Sequence, residues 1–297
     1  MTEVVITGAA RTPVGSFLGS LSSMAASELG AIAITEALSR AGVSPEDVSE
    51  VIMGQILSAG GGQNPARQAA IGAGIPNEKT AYGINQLCGS GLRTVALGYQ
   101  AILAGDSDVV VAGGLESMSQ SPHVMHLRNG VKMGSGQMVD TMINDGLMDA
   151  FNNYHMGVTA ENIAKKFKIS REEQDEFALN SQKKTQIAII QNKFKDELVE
   201  VNIDDNFLDI DEYPRKDLKA EDLKKLKTVF KKNGTVTSGN ASGINDGAAA
   251  VLLTSLEEAV KKFLIPLARI VSWASVGVEP SLMGLGPIDA VKLALKK

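Results

Sequence analysis

The sequence predicts an α/β fold, a mainly parallel sheet covered on its faces by helices, and three observations predict it. Short apolar runs alternate with longer amphipathic ones from residue 3 to residue 114. Glycines are plentiful at 30 while aromatics make up only 4%, so the core has to be built from Ala, Val, Ile and Leu. The strand–loop–helix order of residues 3–40 begins again near residue 268, the mark of a duplicated fold. At 297 residues the chain suits two domains, or one large domain with an insertion. Its 44% hydrophobic and 21% charged content belongs to a globular protein rather than a disordered one.

Glu3–Thr7 reads as a buried strand, followed by a Pro/Gly loop. A helix over 26–40 keeps Leu29, Ile32, Ala33 and Leu38 near the 3.6-residue period, and Gly42 stops it. Val51–Gly54 is a second strand. Asn64-Pro65 reads as a helix start, with Asn as N-cap and Pro in the first turn. Thr80–Leu87 is a weaker strand, and Leu92, Val95, Ala96, Ile102 and Leu103 mark one face of the next helix. Asp108–Ala112 is then a short apolar strand. Beyond Gly114 the texture changes, with seven of the eleven methionines falling between Met118 and Met156 amid Gly, Asn and Ser. Ser170-Arg171-Glu172-Glu173 has the form of a capping box. Residues 191–234 hold 21 of the 63 charged side chains, by default a solvated face. Gly247–Thr254 returns to the buried-strand style, Ala268–Ser275 is a further strand, Gly284–Pro287 a loop and Ile288–Lys297 an amphipathic helix. Residues 119–244 therefore read as an insertion lying over the sheet.

Net charge is −5, from 29 Lys+Arg and 34 Asp+Glu, which argues against nucleic-acid and membrane-surface partners. One cysteine makes neither an intramolecular disulfide nor, alone, a structural zinc site, so a reducing compartment is expected. No His/Cys/carboxylate spacing matches a metal site. The N-terminus lacks a basic segment ahead of an apolar one, and no run reaches the ~18 apolar residues of a membrane span. The chain reads as cytoplasmic.

Cys88 stands in Asn85-Gln86-Leu87-Cys88-Gly89-Ser90-Gly91, between a predicted strand and a predicted helix. The positive end of a helix favours a thiolate, and the flanking glycines leave room for a carbonyl beside the sulfur. That is the logic of a nucleophile elbow with Cys in place of Ser. A lone cysteine is by default a small buried hydrophobe, but the glycines and the strand–helix junction weigh toward the nucleophile. His123 and His126 read as loop residues. His155 precedes a helix, and the residues alone leave it open as pocket-facing or as a hydrogen-bonded loop histidine. Thr235–Gly247 is rich in Gly, Ser, Thr and Asn. It suits either an ordinary connection or a cradle whose N–H groups hold a phosphate, carbonyl or amide.

Four runs carry a resemblance: N-Q-L-C-G-S-G at 85–91, G-G-L-E-S-M-S at 113–119, Y-H-M-G-V-T-A-E-N at 154–162 and G-N-A-S-G-I-N-D-G-A-A-A at 239–250. In order and spacing they resemble the thiolase family, above all its short-chain, biosynthetic acetyl-CoA acetyltransferase branch. The resemblance covers the whole chain. It implies two copies of a five-stranded βαβ core stacked face to face, with a loop domain inserted in the first. Residues 1–118 and 245–267 would form the first core and 119–244 the inserted loop domain with the CoA channel. Residues 268–297 would begin a second core that is largely missing, as in a C-terminally truncated chain.

The resemblance further implies ping-pong acyl transfer. Cys88 takes an acetyl group from acetyl-CoA, and the enolate of a second acetyl-CoA attacks it to give acetoacetyl-CoA. Coenzyme A thioesters are substrates, and no cofactor is permanently bound. Leu147, His155, Met156, Phe230, Ser238, Ser242 and Met283 match positions lining the pantetheine channel, with Ser238 standing where a small Ala is common. Arg215 matches a position near the nucleotide phosphates. The full-length form is expected to be a homo-oligomer, a dimer or tetramer. The family's later motifs, the N-E-A-F segment, the G-H-P histidine and the C-x-G-G cysteine, occur nowhere in the chain. That histidine activates the nucleophile and that cysteine moves the α-proton, so the chain as written is expected to be inactive alone. Two competing readings are a degradative 3-ketoacyl-CoA thiolase and a non-catalytic CoA-binding remnant.

Overall fold

A computed structural model describes residues 2–297. The chain divides into two compact units: residues up to Gly146 with Glu197–Glu212 and Asn245–Val271, and Leu147–Asp196 with Tyr213–Ile244 and Ser272–Lys297. Residues 119–146 and 197–212 of the stretch read as an insertion thus belong to the first unit, and 272–297 to the second.

The first unit is built on one sheet in the order Ala268–Arg269, Val4–Arg11, Asn245–Ser255, Val109–Ser117, Glu50–Gly54, Thr80–Ile84, with Gly15–Ser16 paired to the start of Asn245–Ser255. Alternate residues of these strands face opposite layers, and both layers are apolar, which is why the strands read as continuous hydrophobic runs. Val51, Met53, Val109, Val111 and Leu252 pack under the helices Ala26–Ala41 and Pro65–Gly72. Val4, Ile52, Val110, Ala112 and Leu253 pack under the helix Ser90–Ala104.

The expected parallel pairing holds for Glu50–Gly54 with both of its neighbours. It fails for Asn245–Ser255, which runs antiparallel to Val4–Arg11 and Val109–Ser117. The chain leaves the sheet after Ser117 and re-enters beside it, Asp246 opposite Ser117, so the returning strand has to run back the other way. The strand expected over Ala268–Ser275 pairs only at Ala268 and Arg269. Its neighbour strand begins at Val4, whose carbonyl accepts the Ile270 N–H at 3.0 Å, so the pairing stops where that strand starts. Of the helix face expected from Leu92, Val95, Ala96, Ile102 and Leu103, Ala96 and Ile102 are buried and Val95 packs against the core, but Leu92 and Leu103 are 78% and 45% exposed. The inward face carries Ser90, Thr94, Gly98 and Ile102, one turn apart. Small residues bring this helix so near the sheet that a Cβ on Gly98 would lie 2.8 Å from a Leu253 methyl.

The charged stretch is mostly exposed, as expected of a solvated face, but Asp211 and Glu212 are half-buried and bonded to the first unit's sheet and its adjoining loop. Arg11 grips Asp211 with two hydrogen bonds of 2.7 and 2.9 Å and Glu197 with one of 2.7 Å. Glu212 accepts from the Ser16 N–H and the Ser20 hydroxyl at 2.8 and 2.6 Å. These contacts fasten the Glu197–Glu212 segment to the end of Val4–Arg11.

The second unit has a small apolar interior of Ala164, Leu223 and Val236, and is ordered as much by buried polar groups. Its helices are Met156–Phe167, Arg171–Ile190, Ala220–Lys224 and Gly286–Lys296. Ser170 caps the second of these as expected, taking the Glu173 N–H while the Glu173 carboxylate takes the Ser170 N–H. Asp175 on that helix pairs with Arg171 at 2.7 Å, and the same guanidinium donates to the Leu223 carbonyl at 2.6 Å.

Candidate active site

In the first unit the strand Thr80–Ile84 ends just before a tight loop, and the helix Ser90–Ala104 starts just after it. Leu87 sits in the left-handed region at φ +48, a conformation that costs a branched residue energy and marks a constrained turn. The Asn85 side chain accepts the Leu87 N–H at 2.9 Å. The Ser90 hydroxyl accepts from the Gln86 N–H at 2.8 Å and donates to the Leu87 carbonyl at 2.5 Å. Cys88 is thereby held two residues ahead of the helix, and its side chain is exposed rather than packed in hydrocarbon.

The helix start lies over the carboxyl ends of two strands, where open α/β sheets place their ligand sites. Gly54, the last residue of Glu50–Gly54, makes this approach possible, since a Cβ there would stand 2.6 Å from the Gly91 nitrogen. Gly91 itself has room, since a Cβ there would have its nearest neighbour, the Gly113 carbonyl oxygen, at 3.9 Å. The close-packing demand between strand end and helix start therefore falls on Gly54, a residue given no role from sequence. Thr94, fully buried, stands 2.7 Å from the Gly91 carbonyl and 2.9 Å from that of Gly113 and ties helix to strand. Glu116, within the second quoted run but given no role from sequence, takes the N–H groups of Ile56 and Leu57 at 2.9 and 3.1 Å. Burial raises its pKa while those amides oppose the rise. It orders the chain just beyond Gly54.

The seven residues matched to the channel and Arg215, matched to the phosphate position, all fall in the second unit. The hairpin of Met148–Asp149 with Tyr154–His155 sets Met148 opposite His155, and half-buried Leu147 leads into it. His155 caps the helix Met156–Phe167, its Nδ1 accepting the Gly157 N–H at 3.0 Å. That bond places the ring proton on Nε2. The imidazole stacks on Phe230 with centroids 4.5 Å apart, and burial lowers its pKa. Arg215 donates to the Ser238 carbonyl at 2.8 Å. Its own N–H donates to the Gln182 side chain at 2.8 Å. Met283 lies on the Pro280–Leu285 turn, which Asn162 holds by donating to the Ser281 carbonyl at 3.1 Å. Met156 is half-buried at the helix start, while Ser238 and Ser242 are exposed on the Gly-rich loop. His155 is thus the hydrogen-bonded cap of this helix, with its ring stacked on Phe230. The structure brings together His155 with Phe230 and Arg215 with Ser238. Sequence reading passed over Glu161 and Asn240, which hold this loop. Both stand inside quoted runs, but their partners are remote in sequence.

The chain belongs to the thiolase family. A family profile described as "Thiolase, N-terminal domain" matches residues 4–257. The chain is similar to proteins named acetyl-CoA acetyltransferase from several organisms. That of Rhizobium meliloti is 58% identical over 304 residues, spanning 99% of this chain and 76% of the relative. That of Paracoccus denitrificans is 56% identical over 301 residues, spanning 100% and 77%. A cytosolic acetyl-CoA acetyltransferase of Mus musculus is 52% identical over 300 residues, spanning 99% and 76%. No helix among the described residues is long and apolar enough to cross a membrane.

Proposed function

We propose that these residues carry the acyl-accepting half of an acetyl-CoA acetyltransferase. Cys88 attacks the acetyl-CoA carbonyl, the tetrahedral intermediate collapses, CoA leaves as the thiol, and the acetyl group stays on sulfur as a thioester. In the complete reaction the enolate of a second acetyl-CoA attacks that thioester, giving acetoacetyl-CoA and returning the free thiol. The reverse direction is thiolysis. The observation that carries the reading is an exposed, sole cysteine at a constrained strand–helix junction.

The substrate arm falls to Leu147, Met156, Phe230 and Met283 as apolar wall, His155 as neutral wall and cap, and Ser238 and Ser242 as loop contacts. Arg215 makes no ion pair among the described residues, so its charge is free to meet the nucleotide phosphates. We read residues 119–244 as the inserted loop domain and 268–297 as the opening of a second core copy. The G-H-P histidine and C-x-G-G cysteine that move protons in the family are not among these 297 residues. Loss of one such group costs ~10²–10⁴-fold. Slow acetylation of Cys88 is therefore expected from these residues, and no condensation.

Intact-protein and peptide mass spectrometry after incubation with acetyl-CoA tests this. One acetyl group on Cys88, absent in Cys88→Ser, is the expected result. An unmodified Cys88 after prolonged incubation with saturating acetyl-CoA removes the acyl-enzyme reading.

A further inference from the structure

Glu161 is a carboxylate with 4% exposure on the helix Met156–Phe167, and it faces a loop rather than solvent. Both its oxygens lie 2.9 Å from the Thr235 nitrogen, and Oε1 takes the Val236 N–H at 2.8 Å. The Thr235 hydroxyl donates to Oε2 at 3.1 Å. A buried charge is tolerated only where fixed donors replace water, and here consecutive peptide N–H groups do so. Gly234 has to be glycine for the fit, since a Cβ there would lie 2.2 Å from Oε1.

The gripped loop carries Phe230 and runs on to Ser238, two of the residues read above as channel lining. The Val229 N–H donates to the Val236 carbonyl at 3.1 Å, closing a narrow loop with Phe230 on one side and Ser238 just beyond the other. On its far side Asn240 donates to the Thr235 carbonyl at 3.1 Å and to Asp175 at 2.9 Å, and accepts the Thr237 N–H at 2.8 Å. The same helix that carries Glu161 begins at Met156 and is capped by His155, which stacks on Phe230. One carboxylate therefore sets the register between the helix and the loop, and with it the His155–Phe230 stack and the Arg215–Ser238 contact.

We infer that Glu161 is a positioning residue for CoA-ester recognition, acting through Thr235 and Val236 on Phe230 and Ser238. The inference rests on the reading of His155, Phe230 and Ser238 as channel residues. Glu161→Gln keeps the shape but turns an amide NH₂ toward groups that are themselves donors, while Glu161→Asp keeps the charge one methylene short. The full 297-residue chain is titrated with CoA by calorimetry. The His155 ring protons are followed by NMR, and the Cys88 alkylation rate by iodoacetamide serves as a control in the first unit.

Expected in E161Q are a roughly tenfold weaker CoA dissociation constant and loss of the ring-current shift on His155, with the alkylation rate unchanged. E161D is expected to recover part of both. If E161Q does not fold, E161D decides by the same two readouts. A folded variant with wild-type CoA affinity overturns the positioning role. A wild-type chain that binds no CoA overturns the channel reading instead, and with it the basis of this inference.

Discussion

Gly54 and Ser90 are in contact so close that a methyl group at Gly54 would fall 2.6 Å from the Ser90 Cβ. Strand end and helix start therefore meet backbone to backbone, and the position of Cys88 depends on the side chain that Gly54 lacks. Gly54→Ala is expected to destabilise by ~1–3 kcal/mol through overpacking and to slow acetylation of Cys88 by displacing the helix start. Gly91→Ala, with 3.9 Å of clearance, is expected to leave stability nearly unchanged. Urea midpoints of the two variants give the comparison, and equal midpoints would contradict the packing argument.

Arg11 and Asp211 make the strongest ion pair that fastens the charged segment to the sheet. Their side chains are 21% and 9% exposed, and Asp211 also accepts the Val14 N–H at 2.8 Å. Asp211→Asn keeps the volume but loses the two-pronged acceptor, leaving a half-buried guanidinium short of a partner. A loss of about 1–3 kcal/mol is expected. Glu257→Gln, in an exposed first helical turn, should change stability by less than about 0.5 kcal/mol. Chemical denaturation at fixed salt measures both.

Asn64 caps the helix Pro65–Gly72 by accepting the Arg67 N–H at 3.1 Å, and its amide donates to the Ala81 carbonyl at 3.0 Å. It does so from the left-handed region, at φ +45. Asn64→Ala removes the cap, worth ~0.5–2 kcal/mol, and also meets the steric penalty of that backbone. Asn64→Gly loses the cap but not the conformation, so it should be the milder of the two. The order of thermal midpoints, wild type above Gly above Ala, is the check.

His155 predicts a pH dependence of definite sign. Burial lowers its pKa below the usual value near 6.5, and Nδ1 has to stay unprotonated to accept from Gly157. The folded chain binds this proton less tightly than the unfolded chain. The contribution of His155 to stability therefore rises as pH climbs through its folded pKa to about 6.5 and is level above that. Below the folded pKa the full cost of charging the ring is present. An NMR titration of the His155 ring should give a midpoint below the free-imidazole value. The wild type should lose more stability on acidification from about pH 7 to 5 than His155→Gln does. An NMR midpoint above the free value would contradict the placement.

What could be read from the chain without coordinates were features written within a few residues. The Asn64-Pro65 helix start, the Ser170–Glu173 capping box and the turn around Cys88 each complete their own hydrogen bonds locally. Family membership was legible too, because the four quoted runs keep their order and spacing. Tertiary structure alone decided the sense of Asn245–Ser255, since direction depends on where a long excursion re-enters the sheet. It alone showed that Asp211 and Glu212, within the largely exposed charged stretch, are half-buried anchors, and that Glu161 grips Thr235 and Val236. Periodicity and capping rules register neighbours along the chain, whereas a buried ion pair or carboxylate cradle joins residues that only folding brings within 3 Å.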